Sequence, residues 1–242
     1  MATMRLDKFL ADCGCGTRAE VKKELRKKTV SVNGKTVSDG GEKIDPDKDC
    51  ILWQGRELCY SKYQYIMLYK PSGCVTAVTD RRHKTVMDLL PGSIHKNMAP
   101  AGRLDLDTEG LLLITDDGEL VHSLLAPGKH VEKTYFARIQ GRVTKKEVQL
   151  FARGVDIGDR DPARPARLEI LEEGPESRIL LTITEGRFHQ VKRMFRAVGM
   201  EVLYLKRISM GSLKLDESLG PGGYRFLTDE EVESLKKKEN IC

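Results

Sequence analysis

Apolar positions follow two different rhythms along this chain, and the change falls at about residue 65. Near the start, Leu6, Phe9 and Leu10 share one face of a helix. Gly14 and Gly16 break that helix. Thr17-Arg18-Ala19-Glu20 then spells a capping box, in which the Thr hydroxyl accepts from the Glu N–H and the Glu carboxylate reaches back. Val21 and Leu25 supply the inward face of this second helix. Val30-Ser31-Val32 alternates as a strand does, Asn33-Gly34 is a strong hairpin turn, and Lys35-Thr36-Val37 returns. Residues 38–64 read as a short tail to this unit, followed from Gln54 by a polar link.

From Tyr65 onward short apolar runs take over. Tyr65–Tyr69 is a strand stopped by Lys70-Pro71-Ser72-Gly73. Gly110–Thr115 (GLLLIT) is too short for a helix and is bounded by Asp116-Asp117-Gly118, so it reads as a buried strand. Leu120, Val121, Leu124 and Leu125 mark a helix closed by Pro127-Gly128. Strands are predicted at Thr134–Gln140, Leu168–Leu171 and Ile179–Thr184. Val191, Met194, Phe195 and Val198 give a helix with one apolar stripe, ended by Gly199. Gly220–Tyr224 turns the chain, and Thr228–Glu231 is a further capping box opening a Lys-rich last helix. Strands and helices without regular alternation indicate an α+β fold: a helix–helix–hairpin domain over 1–62, then a mixed, largely antiparallel sheet with flanking helices over 63–242.

Composition narrows the function classes. No apolar run approaches the ~20 residues of a membrane-crossing helix, and no signal-peptide core opens the chain, so a cytoplasmic protein with reduced thiols is expected. The six cysteines and five histidines are scattered without zinc spacing, so no metal is expected. The formal charge is +5, and its distribution is uneven. Arg18, Lys22, Lys23, Arg26, Lys27, Lys28 and Lys35 face only Glu20 and Glu24 in the same stretch, an excess equal to that of the whole chain. Such a run is ordinarily a solvated helix face; on a short helix leading into a VxVNG hairpin it is also a candidate RNA surface.

Two clusters could carry chemistry. In Ala101–Gly110 a turn rich in Asp and Gly feeds a buried strand, which can hold a carboxylate at the rim of a core; the plain alternative is a loop closed by Asp side chains. In Thr184–Phe195 the apolar residues are core. The polar ones, His189, Gln190, Lys192, Arg193 and Arg196, lie off the stripe, where a basic solvent face is the plain reading.

Together these motifs resemble the pseudouridine synthase family, in its small-subunit ribosomal RNA branch. The likeness runs from Met4 to about Thr228. It comprises an S4-like RNA-binding module, KPxG at 70–73, GRLDxDTxGLLLxT at 102–115, EKTY at 132–135 and EGRFHQVKRMF at 185–195. One departure stands in the module: Lys28-Thr29 occupies the place where the family usually ends the helix on glycine.

The resemblance implies that Asp105 is the catalytic aspartate, that Tyr135 stacks on the target base, that Lys192 is the basic partner of the aspartate, and that Arg103 helps fill the space left by the extruded uridine. Arg18, Lys22, Lys23, Arg26, Lys27 and Lys28 would contact RNA. The implied reaction converts one uridine to pseudouridine in 16S ribosomal RNA, of the uridine-516 type, on naked RNA or an assembly intermediate. It needs no cofactor, and a monomer is expected. The aspartate could attack C1′ or take a proton from C2′. Other readings remain: a large-subunit (23S) ribosomal RNA synthase; a glycoside or nucleoside hydrolase pairing Asp105 with Asp107, which on an extended strand would lie ~7 Å apart; or an RNA-binding protein without catalysis.

Overall fold

The structure, a computed structural model, describes residues 3–58, 63–91 and 97–239. The chain divides into two compact units, one reaching Gln64 and including Pro91–Met98, the other made of Tyr65–Leu90 and the chain from Ala99. The domain boundary expected at 62/63 touches residues 59–62, which lie outside the described set.

In the first unit, strand β1 (Met4–Arg5) leads into helix α1 (Leu6–Asp12), and α2 (Arg18–Arg26) follows. The Thr17 hydroxyl accepts from Glu20 N–H while the Glu20 carboxylate accepts from Thr17 N–H at 2.7 Å, so the capping box forms as its sequence predicts. Strands β2 (Val30–Val32) and β3 (Lys35–Thr36) pair across Asn33-Gly34, both with positive φ. Leu6, Phe9, Leu10, Val21, Leu25, Val30 and Val32 meet in one core.

The stretch read as tail and link is in fact built into this unit. Strand β4 (Lys43–Ile44) pairs with β1, and β5 (Ile51–Trp53) pairs with β2. β6 (Arg56–Leu58) then folds back on β5 across Gln54-Gly55. Gln54 takes the left-handed conformation that Asn33 takes in the first hairpin, with φ 49°. A Gln at that position carries a weak turn signal, which is why the pairing is not legible in the sequence.

Lys28 resolves the departure at the end of α2. It adopts φ 57°, the left-handed conformation in which a glycine is usual, and its N–H still donates to Leu25 C=O at 3.0 Å. A non-glycine residue there costs about 1–2 kcal/mol. The Thr29 hydroxyl partly offsets this by donating to Glu24 C=O at 3.2 Å.

The second unit is a nine-stranded mixed sheet among the described residues. Its strands are β7 (Tyr65–Lys70), β8 (Ala99–Pro100), β9 (Glu109–Thr115), β10 (Lys133–Gln140), β11 (Arg167–Glu172), β12 (Glu176–Ile183), β13 (Glu201–Met210), β14 (Leu213–Lys214) and β15 (Tyr224–Phe226). They run in the order β11-β12-β10-β13-β9-β7-β15, with β14 on β13 and β8 on β9. Every pairing is antiparallel except β9 with β13. Helices α3 (Gly118–Leu125), α4 (Lys145–Arg153), α5 (Gln190–Ala197) and α6 (Asp229–Glu239) flank it. The α+β fold and the largely antiparallel sheet are as expected.

The parallel seam depends on one glycine. Gly110 has φ 101°, and a Cβ there would come within 2.2 Å of Arg207 C=O. Only a residue without a side chain lets β9 and β13 approach this closely. Strand β13 and helix α4 are not among the predicted elements. Yet α4 carries its own capping box, Thr144 with Glu147, and β13 buries Leu205 and Arg207 two residues apart on one face. The last capping box, Thr228 with Glu231, forms as predicted, and Arg225 serves the fold by gripping Asp216 and Glu231.

Candidate active site

The turn between β8 and β9 carries Asp105, and ties from β7 and the segment after it hold that turn in place. Lys70, fully buried at the end of β7, donates to Thr108 C=O at 2.8 Å, Leu106 C=O at 3.2 Å and Pro71 C=O at 3.0 Å. Burial pulls the Lys70 ammonium below its usual range, and nearby thiol and carboxylate groups only partly oppose that. Gly73 N–H donates to Leu106 C=O, and the Thr76 hydroxyl donates to Leu104 C=O while accepting from Leu104 N–H. The KPxG segment is therefore the buttress of the aspartate turn.

Helix α5 supplies the opposing charge. Lys192 Nζ lies 3.3 Å from Asp105 Oδ2 and 2.5 Å from Asp107 Oδ1. The two carboxylates are not equivalent: the Asp105 side chain is 25% exposed and that of Asp107 is 66% exposed. Asp107 is pushed up by burial but pulled further down by the hydrogen bond and charge of Lys192, so it lies below the usual carboxylate range. His189 Nε2 approaches Asp105 Oδ1 to 3.6 Å. Asp105 and Asp107 do not lie on an extended strand. Residues 105–108 form a turn closed by Thr108 N–H to Asp105 C=O at 3.1 Å, with both acids gathered on one ammonium. One faces inward and one outward, which suits a single working carboxylate better than a symmetric pair.

A cavity of about 630 Å³ opens beside Asp105, within the range that takes one nucleotide-sized ligand. Arg103, Leu104, Asp105, Tyr135, His189 and Arg207 are among its lining residues. Tyr135, on β10, is buried and presents its ring to the wall; Arg103 is exposed at the rim. Lys192, not itself in the lining, meets Asp105 from the side. The structure thus brings Asp105, Lys192, Tyr135 and Arg103 to one place.

The polar residues of α5 are not a plain solvent face. Gln190 is buried, its amide oxygen accepting from Arg187 N–H and its amide nitrogen donating to Glu185. Arg193 donates to Ile157 C=O and Phe188 C=O. Two further wall residues carry no role in the sequence reading. Arg207, 2% exposed, stands across from Tyr135 on the neighbouring strand and donates through Nε to Leu111 C=O at 2.8 Å. Lys133, of EKTY, is buried with its ammonium on Val131 C=O. A charged residue in phase with buried apolar neighbours is the available signal for Arg207.

Of the six basic residues expected to meet RNA, all are exposed on or just after α2, and Lys27 is paired with Glu24 at 2.6 Å. Among the described residues no cluster of His, Cys, Asp and Glu is arranged to hold a metal ion, and no helix is long and apolar enough to cross a membrane.

A family model described as RNA pseudouridylate synthase matches residues 64–197. The chain belongs to the RNA pseudouridylate synthase family. The S4 domain model matches residues 4–49, so the synthase carries an S4 domain at its N-terminal side. The likeness extends over whole proteins. The Uncharacterized RNA pseudouridine synthase YtzG of Bacillus subtilis is 44% identical, covering 98% of this chain and 100% of the relative. Ribosomal small subunit pseudouridine synthase A of Vibrio cholerae is 42% identical over 97% of this chain and 100% of its own length. Its namesake in Escherichia coli is 41% identical over 96% and 100%. A solved structure titled pseudouridylate synthase matches with a TM-score of 0.68 at 40% identity, covering 96% of this chain and 99% of that one. This synthase is accordingly an isomerase.

Proposed function

We propose that this synthase converts one uridine of small-subunit (16S) ribosomal RNA, of the uridine-516 type, to pseudouridine, with Asp105 as its catalytic residue. The observation that carries the reading is Lys192 Nζ at 3.3 Å from an inward-facing Asp105 carboxylate on the lip of a nucleotide-sized cavity walled by Tyr135. The full-length likeness to enzymes named for the ribosomal small subunit supports the choice of substrate.

The chemistry follows from the groups present. A uridine in folded RNA must leave its stack before the glycosidic bond is accessible, at a cost of a few kcal/mol. Stacking on Tyr135 offsets that by roughly 1–3 kcal/mol. Asp105, 3.3 Å from the Lys192 ammonium, attacks C1′ or takes the C2′ proton. The N1–C1′ bond breaks, and its electron pair leaves with the uracil. The ring turns in the cavity and C5 bonds to C1′, displacing the Asp105 carboxylate on the first route, or as Asp105 returns the proton to C2′ on the second. The C5 proton is then lost as N1 gains one. No atom is gained or lost and nothing is oxidised, so the reaction calls for no cofactor. Arg103, at the rim, occupies the space the uridine leaves in the RNA.

Residues 1–62 act as the RNA-docking domain and 63–242 as the catalytic domain. Arg18, Lys22, Lys23, Arg26, Lys27 and Lys28 contact phosphates, whose counterion release supplies affinity without base specificity. The enzyme works as a monomer in the cytoplasm, on free ribosomal RNA or an assembly intermediate. The test is a map of pseudouridine across both ribosomal RNAs from cells with and without this protein. Loss of one site in the small-subunit RNA is expected. Loss of a site in the large-subunit RNA alone would overturn the substrate assignment, and release of free uracil by the purified protein would replace the isomerase chemistry with hydrolysis.

A further inference from the structure

Among the described residues, Phe188 is the most exposed of the large apolar side chains: 65% of it faces solvent, at the mouth of the cavity that Asp105 and Tyr135 line. An aromatic ring left in water forgoes the burial that normally stabilises it, so a fixed exposed ring calls for a partner. This one is fixed from both sides. Arg187, the preceding residue, is anchored by Glu185, Asp161 C=O and Pro162 C=O. His189, which follows, holds the left-handed conformation at φ 48°, strained for a residue with a side chain, and its ring stacks on that of Phe188 at 3.8 Å and 19°. Arg193 holds the Phe188 carbonyl at 3.2 Å. The same His189 reaches to 3.6 Å from Asp105, so the stacked pair stands beside the candidate catalytic carboxylate.

We propose that Phe188 is a stacking platform for an unpaired nucleobase adjacent to the uridine that enters the cavity. A planar ring, pre-set and backed by an imidazole, is a surface that a purine or pyrimidine face covers without cost in side-chain ordering. A base pulled from its helix leaves its neighbour with one face unstacked, and Phe188 stands where that neighbour passes. Basic groups at the same mouth, Arg103 and Arg164, favour a polyanion over an apolar protein partner. The inference rests on the RNA reading of this site, and holds whether the small- or the large-subunit molecule is modified.

The test compares Phe188→Ala, Phe188→Leu and Phe188→Trp, surface substitutions that leave the cores untouched. Transcripts of both ribosomal RNAs, labelled with tritium at uridine C5, report single-turnover isomerisation and affinity. Ala and Leu are expected to lower affinity or subsaturating rate about 5- to 100-fold, with Trp near wild type. The natural chain has a single tryptophan, so the Phe188→Trp signal is read by difference from wild type. Its emission is expected to be quenched by the transcripts and by a single-stranded oligouridylate. Phe188→Ala within twofold of wild type in both affinity and rate overturns the proposal, as does a Phe188→Trp signal that no RNA quenches. So does a Phe188→Ala variant that alters self-association while leaving RNA binding unchanged. Absence of wild-type turnover on both transcripts would count against the ribosomal substrate instead, with the oligouridylate titration still deciding the role of Phe188.

Discussion

Replacing Lys192 with Met removes the ammonium that sits 3.3 Å from Asp105 and 2.5 Å from Asp107 while keeping most of the side-chain volume. Two unit charges at 3.3 Å attract by about 1 kcal/mol if water screens them fully and by about 5 kcal/mol at an effective dielectric of 20. Lys192 and Asp105 are 22% and 25% exposed as side chains, which places the pair between those limits. Deleting the lysine therefore removes one to a few kcal/mol of support for the Asp105 anion and takes from both carboxylates the ammonium they share. The active form is the anion, so the acid limb of the pH–rate profile should move to higher pH. The single-turnover rate should fall by about fivefold or more, most steeply in acid buffer. Tritium release from RNA labelled at uridine C5, followed from acid to alkaline buffer, gives both quantities. Lys192→Arg should recover part of the shift, since it restores charge with altered reach. Adding Asp107→Asn to Lys192→Met should pull the limb partway back by removing the like charge. An unchanged rate and profile in Lys192→Met would refute the reasoning and return Lys192 to an ordinary surface ion pair.

Asp105→Asn keeps shape and removes charge, so product should vanish while RNA affinity stays within a few-fold; Asp107→Asn, at a two-thirds exposed side chain, should retain measurable turnover. Equal loss in both, with folding intact, would favour the paired-carboxylate reading. Deleting residues 1–62 should weaken RNA affinity and shallow the log–log salt slope by about two to four if three or four α2 cations touch phosphates. An unchanged slope would leave α2 as solvated surface. Gly110→Ala should destabilise by more than about 3 kcal/mol, because its Cβ would meet Arg207 C=O at 2.2 Å, and denaturant titration checks this. Asp117 is pushed up by burial but held lower overall by the Tyr65 hydroxyl, Leu120 N–H and Lys236. A carboxyl lowered in the folded state stabilises above its unfolded pKa and loses that contribution as the pH falls through the folded value. Asp117→Asn should therefore cost about 1 kcal/mol at neutral pH, the gap from wild type closing as the solution is acidified below the ordinary value of 3.8.

Local code and order of motifs were written in the sequence itself. Thr17 with Glu20, Asn33-Gly34, the GLLLIT run and the α5 stripe each act over a few residues, where capping, turn geometry and periodicity operate without help from the rest of the chain. The ordered motifs likewise carried the family, because they preserve the identity of residues whose positions converge. Tertiary packing decided what no short window contains. Gln54-Gly55 became a hairpin only because Ile51–Trp53 had a partner edge on β2, and Lys28 holds a left-handed backbone that glycine would adopt more easily. It also decided which of two neighbouring aspartates faces the cavity, a difference set by the turn at 105–108 rather than by residue type. Lys70 and Arg207 gained their places in the same way. Each is a charge buried where a distant carbonyl, from residue 108 or residue 111, awaits a donor, and that match exists only once β7, β9 and β13 lie side by side.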